Sequence, residues 1–67
     1  MRVIELEEFR RTWMSIALTY RSCALSAIRR GAGEVAEHYG EEADRCAETA
    51  AAFEAQIQGR LLEVSNA

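Results

Sequence analysis

The 67-residue sequence has no proline and no lysine, one histidine and only two cysteines. Without proline nothing forbids a long helix interior, and 49% apolar with 28% charged residues argues for a packed helical chain over disorder. Cys23 and Cys46 are too few for a disulfide framework and form no CxxC pair. Both fall on apolar stripes, so they read as small buried hydrophobes. The single histidine, His38, lies among Glu34, Glu37, Glu41 and Glu42. Glu34 stands four residues before it. The di-iron bundle motif needs a glutamate three before, where Val35 stands, and no HExxH or Cys/His cluster exists. No metal, no cofactor and no catalytic residue is therefore expected, and the chain is not expected to be an enzyme. No stretch approaches 18 uncharged apolar residues, and "MRVIELEE" does not resemble a signal peptide. A cytoplasmic protein that does not bind membranes is the expectation.

What is present is two helical stripes. Leu6, Phe9, Trp13, Ile16, Tyr20, Cys23 and Ala27 are spaced alternately three and four apart, the repeat of a seam between helices. They predict helix 1 over about residues 4–30. Ala36, Tyr39, Ala43, Cys46, Ala50, Phe53 and Ile57 repeat the pattern and predict helix 2 over about residues 34–64. Glu5, Glu7 and Glu8 begin the first helix and Arg29 and Arg30 end it; Glu34 and Glu37 begin the second, with Arg60 near its end. Those signs suit the helix dipoles. Gly40 costs about 1 kcal/mol relative to alanine inside a helix, but a continuous helix 2 is still expected. The tail Ser65-Asn66-Ala67 is expected to fray.

Between the stripes stands Gly31-Ala32-Gly33. A phosphate-cradling loop follows a strand and carries more of its motif, whereas these glycines follow a helix and no GxGxxG is present. Residues 31–33 are a corner, with Gly31 as a left-handed helix cap and Gly33 opening the next helix. A short corner forces the helices antiparallel. The expected fold is all-α, an antiparallel two-helix hairpin in a single domain over residues 1–67, assembling as a homodimeric four-helix bundle. Equal distances from the corner would set Tyr20 against Ala43 and Cys46, Trp13 against Ala50 and Phe53, and Phe9 against Ile57. Residues 1–33 carry six arginines and three glutamates, net +3; residues 34–67 carry two arginines and eight acids, net −6; together they give the −3 of the whole chain. A basic helix beside an acidic one fits this pairing, although each exposed pair contributes only a few tenths of a kcal/mol or so.

Helix 1 has a second apolar stripe: Met14, Leu18, Leu25 and Ile28, interrupted by Arg21. A helix apolar on most of its circumference is normally buried on most of it. Helix 2, with Glu37, Glu41, Asp44 and Glu48 on its outer face, cannot cover both stripes. The second stripe is thus the expected oligomer or partner interface, with Arg21 either its polar anchor or an intrachain ion pair. The seam is expected within the chain, the first helices meeting at the dimer centre. Function then reads as a small non-enzymatic interaction module that binds a partner protein as a regulator or inhibitor, of the kind phages and mobile elements encode.

In hairpin length and heptad pattern, and in the tetrapeptide "YRSC" at Tyr20–Cys23, the chain resembles the plasmid-encoded Rop regulators. That resemblance implies a dimer whose first helices bind RNA, with Arg10, Arg11 and Arg21 as the basic track. The sequence pI of about 5.1 runs against it, since nucleic-acid affinity comes mainly from neutralising phosphates. A Rop-like RNA-binding regulator and a purely structural assembly subunit are the alternatives.

Overall fold

The structure, a computed structural model, describes residues 1–66. It is an αα-hairpin: α1 spans Val3–Arg29 and α2 spans Gly33–Asn66, packed along each other's length. Helix 2 is continuous through Gly40, where a Cβ would meet only open space. It also runs on through Asn66, two residues past the Val64 boundary drawn from the sequence, so Ser65 and Asn66 are helical where fraying was expected; the fraying expected of Ala67 lies outside the described residues. Because α2 continues six residues beyond Arg60, its last turn holds no basic residue.

The corner forms as the glycines require. Gly31 adopts φ 76°, the left-handed region that glycine enters without a Cβ clash. The Ala32 N–H donates to the Ala27 carbonyl at 2.9 Å and the Gly31 N–H to the Ile28 carbonyl at 3.0 Å. These are the two bonds of a Schellman cap, and they satisfy carbonyls that the end of α1 would otherwise leave open. Helix 2 starts at once, its Ala36 N–H reaching back to the Ala32 carbonyl.

The seam follows the α2 stripe closely and the α1 stripe by half. On α2, Ala36, Ala43, Cys46, Ala50 and Ile57 are buried, with Tyr39 and Phe53 half-buried. On α1, Leu6 and Ala27 are buried and Trp13, Tyr20 and Cys23 half-buried, but Phe9 and Ile16 are exposed. Ala17, wholly buried, takes the place assigned to Ile16. The helix is rolled so that positions 10, 17 and 24 alternate with 6, 13, 20 and 27. That roll puts Ala17 and Ala27 of α1 into the seam, to which α2 contributes Ala36, Ala43 and Ala50, and small residues on both helices permit close approach. The aromatic contacts change accordingly. Phe9 stacks on Phe53 with ring centroids 5.5 Å apart, and Tyr20 tilts against Tyr39 at 6.1 Å. Each aromatic partner stands about one turn nearer the corner than the residue expected opposite it, although the Arg10–Glu54 and Arg21–Asp44 pairs keep the expected register.

The result is a rod of 55 × 14 × 14 Å with a radius of gyration of 15.6 Å. A compact chain of this length would have about 11 Å. At 27 and 34 residues the helices are unequal, and α2 runs past the start of α1 at the open end. Leu61, Leu62 and Val64 stand exposed there.

Candidate interaction surface

At 100° per residue, Met14, Leu18, Leu25 and Ile28 fall on one side of α1, about a quarter turn from the seam. The structure leaves them uncovered: Met14 is 39% exposed, Leu18 60%, Leu25 55% and Ile28 61%. Ile4 continues the same flank to the open end, also exposed. Helix 2 shares this flank with small residues. An open groove of about 520 Å³ runs between Met14 on one bank and Ala47, Ala50 and Ala51 on the other, with Glu7, Arg10 and Glu54 at its edge. Gly40 lies one heptad from Ala47 and extends the strip of small side chains toward the corner.

Charges cross the hairpin on this flank at two levels, one at the groove's edge and one midway along the flank. Arg10 sits between the helices, hydrogen-bonded to Glu7 and 3.5 Å from Glu54. The Arg10 guanidinium holds the Glu7 carboxyl below its ordinary range, and Glu7 in turn raises the Arg10 pKa. Arg2 lowers Glu5 in the same way through a hydrogen bond at the start of α1. Arg21 pairs with Asp44 at 3.4 Å, both side chains exposed. Of the two roles open to Arg21 in the sequence, the structure places it in the intrachain pair, in the middle of the apolar flank.

The far side of α1 is polar and self-satisfied. Thr12 and Thr19 donate their hydroxyls to the Glu8 and Ser15 carbonyls of their own helix. His38 is exposed, its ring tilted against that of Tyr39 at 5.9 Å. Cys23 and Cys46 are free thiols. Among the described residues no group of three or more His, Cys, Asp or Glu side chains is placed to hold a metal ion, and no helix is long and apolar enough to cross a membrane.

The arginines of the basic track each stand beside an acid. Arg10 and Arg11 both engage Glu7, Arg10 also reaches Glu54, and Arg21 faces Asp44. Three acids thus offset three bases along the line where RNA would lie.

Sequence reasoning overlooked the small-residue strip on α2. Gly40 registers there only as a helix defect, and Ala47 and Ala51, which wall the groove with Ala50, carry no signal. Compared with protein-family models, curated proteins and solved structures, the chain matches none.

Proposed function

We propose that this protein is a non-enzymatic interaction module that associates with itself and engages a partner protein through the uncovered flank of α1. The reading rests on one observation: a contiguous row of large apolar side chains, Met14, Leu18, Leu25 and Ile28, left in water by an intact hairpin. Contiguous exposed apolar patches on small proteins mark interaction sites. The surface area agrees. The chain exposes 4950 Å², against about 4,250 Å² for a typical folded monomer of its 7.5 kDa mass. The excess of about 700 Å² is close to the ~800 Å² each partner contributes to a standard interface.

Affinity capture from the native host, with the wild type and with Leu18→Glu and Leu25→Glu, tests this function. A protein captured by the wild type and lost with both variants supports it, since each glutamate would have to be desolvated at the contact. Equal capture by all three would remove the flank from the binding function.

A further inference from the structure

We infer that the flank is covered by a second copy of the chain related by a two-fold axis parallel to the helices, so that α1 of each copy lies on α2 of the other. This deepens the self-association proposed above and rests on it. Three properties of the flank select this arrangement from the two a symmetric pair of hairpins allows.

The first is level. On this flank Arg10 stands beside Glu54 and Arg21 beside Asp44. Each step along α1 is a step back along antiparallel α2. Met14 is therefore level with Ala50 and Ala51, Leu18 with Ala47, Leu25 with Gly40, and Ile4 with Leu61. Rotation about an axis parallel to the helices leaves every level unchanged. Leu18 then comes down on the partner's Ala47, Met14 on the partner's Ala51, and Leu25 on the partner's Gly40.

The second is shape. Met14, Leu18 and Leu25 of α1 each meet a small residue on the partner's α2, twice over by symmetry. The open space at Gly40, where no atom lies within 4 Å of a built Cβ, is the socket for a leucine. A two-fold axis across the helices instead stacks α1 on α1 and α2 on α2. Leucines then meet leucines, while the alanine strips face one another across a gap.

The third is charge. Residues 1–33 carry +3 and residues 34–67 carry −6. Laying each α1 on the partner's α2 surrounds every helix with neighbours of opposite sign, whereas stacking like on like brings two −6 halves together. The sequence alone pointed to first helices meeting at the centre. The small-residue strip on α2 favours the alternating arrangement instead.

The test is a cross-link between two single-cysteine proteins in a Cys23→Ala/Cys46→Ala background, one carrying Leu18→Cys and the other Ala47→Cys. Mixed and oxidised, they should give a disulfide between positions 18 and 47, while Leu18→Cys alone should give none, because the two first helices lie on a diagonal beyond disulfide reach. A dominant link between two copies of position 18 would overturn the arrangement but leave self-association standing. A sedimenting dimer that forms neither link would also overturn it. A monomer would overturn both the arrangement and the association beneath it. Because Cys46 is buried, a second version keeps the native cysteines and replaces Leu18 with p-benzoylphenylalanine in isotope-labelled chains mixed with unlabelled ones. Attachment to the unlabelled peptide containing Ala47 supports the arrangement; attachment to the unlabelled Met14–Leu25 region contradicts it.

Discussion

The seam and the flank of this hairpin are built from opposite kinds of side chain. Five of the eight apolar residues buried among the described residues are alanines: Ala17, Ala27, Ala36, Ala43 and Ala50. Among the described residues Leu6 is the only large side chain that is fully buried. A quarter turn away, Met14, Leu18, Leu25 and Ile28 face water. The side chains with most to gain from burial are outside, and those with least are inside. Fully burying a leucine is worth about 1.5–3 kcal/mol, so a lone hairpin leaves its principal source of stability unused. The small seam sets the helices close together, and the bulky flank supplies a surface for another molecule.

Charging the flank should have the largest effect. The Leu18→Glu/Leu25→Glu double variant should weaken self-association by at least ~100-fold, because leaving buried charge unpaired costs several kcal/mol. Sedimentation equilibrium reads the loss. An unchanged dissociation constant would make the flank an ordinary wet surface and dissolve the contrast with the seam.

Enlarging an alanine separates the regions from the other direction. Ala17→Leu should destabilise by about 1–3 kcal/mol through overpacking, since Ala17 is wholly enclosed. Ala55→Leu, on the exposed outer face of α2, should stay within about 0.5 kcal/mol of wild type. Thermal melts decide. Tolerance at position 17 would mean that the roll of α1 has been misplaced.

That roll marks how far the sequence could be read. The α2 stripe is legible because Tyr39, Phe53 and Ile57 stand out against glutamates on the other faces. On α1 the apolar residues are too many. Phe9 and Ile16 extend the Leu6–Trp13–Tyr20 row as plausibly as any seam residue, and hydrophobicity alone favours them over Arg10, Ala17 and Ala24. Close approach of backbones decides for the alanines, and that depends on the opposing helix. The interface candidates Met14, Leu18, Leu25 and Ile28 could be picked out as a surplus stripe. Their small-residue counterpart could not, because glycine and alanine give no hydrophobic signal of their own.

A smaller effect sharpens the comparison toward the open end. Gly59 sits in α2 with open space where a Cβ would go, so Gly59→Ala should stabilise by up to about 1 kcal/mol. A drop in melting temperature would show that this turn of α2 meets something close.

The smallest effect concerns the charges at the groove's edge. Arg10 holds the folded-state pKa of Glu7 below its reference of 4.5. The pairing therefore contributes stability that is present above pH 4.5 and is lost as pH falls through the lowered folded value. Glu7→Gln should flatten the acid limb of the melting curve below pH 4.5 and leave its slope near pH 7 unchanged.

Sedimentation equilibrium of the wild-type chain across micromolar concentrations, paired with melts over the same range, tests the central claim most directly. If the flank is covered by association, the mass should be at least that of a dimer and the melting temperature should rise with concentration. A well-folded monomer with a melting temperature independent of concentration would contradict it.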